Sequence, residues 1–287
     1  MDMGDKQVLL AVLAHPDDES FGIGGTLALY AHRGVDVHLV CATRGEAGDV
    51  TPDCLEGFES VAARRVYELR CAASILGLTG VHFLDYRDSG MSGSMDNQHP
   101  NALCAASLEQ VAEEIAEYIR ELRPQVVLTF DPLGGYLHPD HIAVQRATLL
   151  AFKLAGDLSL NSDLLPYQPV KLYYHVFPKG FLRFGVRLLS FFGRDPRKFG
   201  RNQDINLLEI IEQGEFPVHA AIDISRVQAV REQASACHAS QLGGMPQVGP
   251  LSWIMRLFNR REYFMRAEPQ GDEGELESDL FAGITIN

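Results

Sequence analysis

The stretch LAVLAHPDDES, residues 10–20, decides how this chain is read. The apolar run from Val8 to Ala14 has the length and composition of a buried strand. His15, Pro16, Asp17, Asp18 and Glu19 follow it at once. A carboxylate beside a core strand is costly unless a charge or hydrogen bonds compensate it. A metal ion is the first candidate for that compensation.

Outward from this stretch, strand-like and helix-like segments alternate. Residues 21–34, FGIGGTLALYAHRG, read as a helix closing near Gly34, and Val35–Thr43 as a second strand. Helical spacing runs from about Phe58 to Leu76, with Gly77 as its stop. Val81–Tyr86 reads as a third strand, Ser107 as the cap of a helix to Leu122, and Gln125–Phe130 as a fourth strand before a helix from about His141. This alternation predicts an α/β chain, its mostly parallel sheet covered by helices. Ligands of such sheets bind beyond the carboxyl ends of the strands. The segments there are HPDDE, RGEAG, RDSGM and DPLGGYLHPDH, so the polar chemistry gathers at one sheet edge. Residues 7–155 are read as the core, and residues 156–287 as substrate-side elements of the same single domain.

Apolar residues make up 46% of the 287, enough for a sizeable core, and the formal net charge is −13. That balance argues against general nucleic-acid binding, which needs a basic surface. The cysteines Cys41, Cys54, Cys71, Cys104 and Cys237 are odd in number and lack a C-x-x-C spacing, so they are read as reduced thiols. No apolar run reaches membrane-spanning length and the N-terminus lacks a signal-peptide pattern, so the expected location is the cytoplasm.

His15 and Asp18 follow one strand; His138 and His141 follow another. Imidazole and carboxylate are good zinc ligands, and a catalytic zinc usually keeps three protein ligands and an open position. One His from each segment with one Asp would supply them, although spacing does not choose between His138 and His141. Asp17 is then spare and placed to act as a general base. A single His-Pro-Asp at a strand end is more often a capped loop; a second one, in His-Pro-Asp-His, at the same sheet edge favours a metal.

AHPDDES followed by GGYLHPDH resembles the LmbE-like (PIG-L) family of zinc-dependent deacetylases, and TRGEAG, RRVYELRCAASILG and RDSGM fall where that family has them. The family includes enzymes that deacetylate N-acetylglucosaminyl-phosphatidylinositol and the N-acetylglucosamine conjugates leading to mycothiol and bacillithiol. The likeness covers most of residues 7–150, and CHASQ (237–241) extends it. It implies a Rossmann-like sheet with helices on both faces and C-terminal lid or insert elements. It implies His15, Asp18 and His141 as zinc ligands and Asp17 as general base. His138 would stabilise the oxyanion and protonate the leaving amine, with Asp140 orienting it and Tyr136 near the substrate carbonyl. Arg65, or its neighbour Arg64, would bind substrate; Glu46 and Asp88 would contact sugar hydroxyls, and Met91 would line the pocket. Zinc in such a site lowers the pKa of bound water toward about 7, and Fe2+ suits the same ligands. The substrate is then a small N-acetyl amino sugar or glycoside. The alternatives are an amidase acting on another amide such as a thiol conjugate, and a non-catalytic metal or sugar binder. A dinucleotide-dependent oxidoreductase is disfavoured, because FGIGG lacks the G-x-G-x-x-G spacing and follows acids that would repel phosphate.

Residues 178–201, PKGFLRFGVRLLSFFGRDPRKFGR, are basic and apolar inside an acidic chain. They are read as a lid over the domain, ahead of a peripheral membrane contact. Residues 250–268 read as a helix whose Trp253, Phe258, Tyr263 and Phe264 pack in the core, ahead of lining a pocket or an oligomer contact. His219 and His238 read as structural, and the acidic 268–281 as surface.

Overall fold

Val8–Leu13 (β1) is apolar throughout and almost wholly buried, as a strand covered on both faces must be. It is an interior strand of the sheet in this computed structural model, which describes residues 6–191, 193–198, 205–242, 260–272, 274 and 276–285. Asp36–Thr43 (β2) pairs with one side of β1 and Val126–Phe130 (β4) with the other, both parallel. Gly80–Tyr86 (β3) extends the sheet beyond β2, and Lys171–Val176 (β5) beyond β4, again in parallel. Ala220–Asp223 (β6) and Arg261–Glu268 (β7) complete the order β3-β2-β1-β4-β5-β7-β6, with β7 antiparallel to both neighbours. The chain leaves β1 toward β2 on one side and returns to β4 on the other. This topological switch point opens a crevice at the carboxyl ends of β1 and β4.

The helices start and stop where local chemistry dictates. After the short α1 (Asp18–Phe21), α2 (Gly24–His32) begins so close to the following layer that a Cβ on Gly25 would lie 2.5 Å from Ile224. The backbone N–H groups of Gly25 and Thr26 donate to the buried carboxylate of Glu262, so the start of α2 already holds an anion from its own chain. Beyond the short α3 (Pro52–Leu55), α4 (Val61–Leu76) is capped by Ser60 and ends at Gly77 with φ 79°, where a side chain would be strained. Ser107 caps α5 (Leu108–Leu122). After α6 (Gly134–Leu137), His138 caps α7 (Pro139–Leu154), with proline at its first position. The remaining helices are α8 (Lys179–Phe191), α9 (Leu207–Glu212) and α10 (Gln228–Cys237).

Four expectations need correction. Residues 261–268 are a strand, with the period-2 burial of Glu262 and Phe264; Trp253 and Phe258 lie outside the described residues. Residues 156–287 are more than substrate-side elements, since they add three strands to the sheet. Cys71 and Cys237 form a disulfide joining α4 to the end of α10, while Cys41, Cys54 and Cys104 are free. The acidic segment is not all surface: Leu280 and Phe281 are buried, and Glu277 pairs with Lys171 (2.8 Å) and Arg266 (2.7 Å). No described helix is long and apolar enough to cross a membrane.

Candidate active site

The loops after β1, β2, β3 and β4 meet over the crevice, each bringing residues singled out in the sequence. His15 Nε2 faces two carboxylates, Asp140 at 3.1 Å and Asp88 at 3.3 Å. That nitrogen therefore carries the proton, and in a neutral ring Nδ1 is a lone pair. His141 Nδ1 lies 3.1 Å from the carbonyl of Gly134, which accepts only, so its Nε2 is also a lone pair. Those two lone pairs stand 3.2 Å apart. The carboxylate of Asp18 reaches both rings, at 3.6 Å from His15 Nδ1 and 3.3 Å from His141 Nε2. Three acceptors that converge this way repel one another unless a metal ion lies between them or a proton sits on His15, whose pKa, against the effect of burial, is raised by Asp88, Asp140 and Asp18. Ligands at about 2.0–2.1 Å from a tetrahedral zinc are about 3.3 Å apart, so the donor set fits the ion in kind and spacing. His138 also comes within reach of His15 and His141, and Asp88 and Asp140 crowd the far side of His15.

The local sequence builds this arrangement. Gly134 and Gly135 have φ of 62° and 70°, and a Cβ on Gly134 would sit 2.8 Å from that of His141. Only glycine lets the loop turn its carbonyl onto His141. Gly45 and Gly48 make room for Arg65: a Cβ on either would lie within 2.7 Å of the guanidinium. Asp17, with φ 127° and ψ −27°, turns its carboxylate to Arg65 at 3.1 Å. Burial pushes the Asp17 carboxyl up to about 6, against the pull of Arg65. His138 accepts the Asp140 backbone N–H at Nδ1 (3.2 Å), which leaves Nε2 as its donor. Burial and the neighbouring His15 and His141 hold its pKa well below the ordinary value, so this ring is neutral.

His15, Asp17 and His138 line a polar cavity of about 370 Å³, with Met91, Arg65, Asp88 and Tyr136 in its wall. A second, mostly apolar cavity of about 420 Å³ adjoins it and shares Tyr136 and Ile205. Helices α8 and α9 wall it: Val186, Leu207 and Ile210 pack together beside Tyr136. Lys179 and Leu182 of α8 line this cavity, while Phe184 and Phe191 are exposed. Arg201 and Phe192 lie outside the described residues.

Three site residues sit differently from the roles the resemblance implies. The Asp140 carboxylate bonds His15 and the Ser89 N–H (2.9 Å), and only its backbone N–H touches His138. Glu46 accepts the Asp88 N–H at 3.0 Å, and Ala47, Gly48 and Asp49 line the cavity in its place. Arg64 turns away to Glu68 at 2.9 Å, so Arg65 is the arginine of the site. The sequence reading missed Glu19 and Gln241. Glu19 is the third acid of the opening run, and Gln241, in the CHASQ segment, lines the cavity from the C-terminal half.

The profile of the family described as GlcNAc-PI de-N-acetylase, PIG-L, matches residues 10–152. The 1D-myo-inositol 2-acetamido-2-deoxy-alpha-D-glucopyranoside deacetylase 2 of Catenulispora acidiphila is 37% identical, over 98% of both chains. The enzyme of that activity from Thermobifida fusca is 37% identical, over 98% of this chain and 100% of its own. The solved structure of N,N'-diacetylchitobiose deacetylase from Pyrococcus horikoshii has a TM-score of 0.64 at 20% identity, covering 91% of this chain and 84% of that one. This last likeness speaks to the fold alone.

Proposed function

Because this chain belongs to the PIG-L family of de-N-acetylases, we propose that it hydrolyses the acetamide of an N-acetylglucosaminyl-inositol, releasing acetate and the free amino sugar. The observation that carries this reading is the convergence of His15, Asp18 and His141, with Asp17 beside them, at the sheet's switch point. The inositol aglycone is taken from the relatives' activity. Zn2+ is the ion this reading assigns to the three ligands, where it would supply a Lewis acid for the carbonyl and acidify water.

The chain's own groups do the rest. Asp17 takes the proton of the attacking water, and a carboxyl near pKa 6 is well matched to that task near neutral pH. Arg65 holds its carboxylate in place. The Nε2–H of His138 donates to the oxygen of the acetamide as charge grows there. A neutral His138 is a hydrogen-bond donor and a poor acid, so the proton held by Asp17 is the one passed to the leaving nitrogen. Tyr136 closes the cavity beside both histidines, its ring centroid 5.0 Å from that of His141. Asp88 and Met91 border the space for the sugar. The reading carries a cytoplasmic location, and the Cys71–Cys237 disulfide is the feature that runs against it.

Amine release from N-acetylglucosaminyl-inositol, free N-acetylglucosamine and other N-acetylglucosaminides, with zinc-loaded and apo protein, tests the proposal. Zinc-dependent release fastest with the inositol conjugate supports it. Release that is equal across aglycones would remove the inositol assignment, and none at all would remove the deacetylase.

A further inference from the structure

Asp17 holds a backbone conformation that non-glycine residues rarely adopt, with φ 127°. Such strain costs about 1–3 kcal/mol and persists only where neighbours over-determine it. Its carbonyl accepts from the N–H groups of Ser20 (3.0 Å) and Phe21 (2.9 Å), and its own N–H donates to Glu19 Oε2 at 3.0 Å. Glu19 is fully buried. Its other oxygen accepts from the Ser20 hydroxyl (2.5 Å) and from His238 Nε2 (2.7 Å). His238 is also fully buried, and its Nδ1 has no hydrogen-bond partner among the described residues. It comes from the far end of the chain, and its position is fixed on both sides. Cys237 before it is joined to Cys71, and Ser240 after it donates to Glu68 through its N–H (2.9 Å) and hydroxyl (2.6 Å).

We infer that Glu19 and His238 are a positioning pair for the general base: His238 holds the Glu19 carboxylate, and that carboxylate fixes the backbone of Asp17. This rests on Asp17 being the base of the proposed reaction. Neither residue reaches the cavity lining, and both act through Asp17. The C-terminal half thus contributes to the chemistry as well as to the wall of the cavity.

The test is a double-mutant cycle on the full-length, zinc-loaded chain, with zinc affinity measured beside turnover. Glu19→Ala is expected to lower kcat about 100-fold, as a misplacement of about 1 Å does, with KM and zinc affinity within threefold of the parent. Glu19→Gln, which keeps an acceptor for the Asp17 N–H, should recover most of that loss. In an Asp17→Asn background Glu19→Ala should cost less than threefold, because the group it positions is gone. An unchanged kcat in Glu19→Ala, or the same 100-fold cost in the Asp17→Asn background, would overturn the inference. Should Glu19→Ala not fold, His238→Phe and His238→Gln carry the test. A lowered kcat in the first and recovery in the second, whose amide still donates, support the pair; equal kcat in both overturns it. Full turnover in Asp17→Asn alone would instead overturn the reading of the base.

Discussion

Asp140→Asn probes how the proposed metal site is held together without touching a proposed ligand. Asp140 is fully buried, and one of its oxygens serves both His15 Nε2 at 3.1 Å and the Ser89 N–H at 2.9 Å. That carboxylate fixes the protonated nitrogen of His15 and so turns its Nδ1 toward Asp18 and His141, where the proposed metal would lie. An asparagine keeps one oxygen, and the Ser89 N–H can retain it; the charge on His15's partner is lost. Removing such a partner typically costs 10–100-fold in metal affinity, or about 1.4–2.7 kcal/mol. Asp88 stands in reserve at 3.3 Å from the same nitrogen, so the expected loss is in the lower half of that range, about 10–30-fold. The apo protein should respond in the opposite sense. Asp18, Asp88 and Asp140 crowd around His15, Asp17 and Asp88 share the one guanidinium of Arg65, and Asp140 Oδ1 has no hydrogen-bond partner among the described residues. Deleting one of those charges should leave apo stability equal or higher. Chelator competition gives the zinc Kd, and thermal unfolding of the metal-free protein gives the stability. A Kd within twofold of the parent, or an apo protein several degrees less stable, would refute the reasoning.

Three further outcomes follow from the geometry. Gly134→Ala puts a Cβ 2.8 Å from that of His141 at a φ of 62°, so it should cost about 1–3 kcal/mol of stability and lower zinc affinity, read by urea unfolding and chelator competition. Phe264→Ala, at a fully buried position of β7, should cost about 3–5 kcal/mol by urea unfolding, and a cost under about 1 kcal/mol would contradict its place in the core. Burial and then Arg231 push the pKa of His175 down to about 3, so its ring stays neutral in the fold while the unfolded chain protonates near 6.5. The stability it contributes is full above about 6.5 and is lost as the pH falls toward 3, by up to about 1.4 kcal/mol per pH unit. His175→Asn should flatten that part of the acid limb in urea unfolding; an identical limb would contradict it.

The first four strands and the helices between them were legible because a buried parallel sheet writes itself as uninterrupted apolar runs broken by caps and glycines. The convergence proposed as a metal site was legible because HPDD follows β1 at once and HPDH closes the loop after β4. What was missed depends on distant parts of the chain. Residues 261–268 read as part of a core-packed helix, and nothing local shows that Glu262 is buried because the start of α2 supplies two N–H donors to it. Cys71 and Cys237 give no local sign of pairing, since only the packing of α10 on α4 brings them together. Asp140 sits in the same motif as His138, yet its place at the start of α7 turns its carboxylate across the crevice to His15. Glu19 and His238 were unreadable for the same reason: a carboxylate and an imidazole far apart in sequence reveal their bond only in the fold.

The two adjacent acids of the opening run provide the most direct test of the account. Zinc stoichiometry and acetate release should be measured side by side on Asp17→Asn and Asp18→Asn. The account predicts that Asp17→Asn keeps about one zinc per chain and loses about 100-fold or more in turnover, while Asp18→Asn loses tight zinc binding and turnover together. Parent-like zinc affinity in Asp18→Asn, or parent-like turnover in Asp17→Asn, would contradict it.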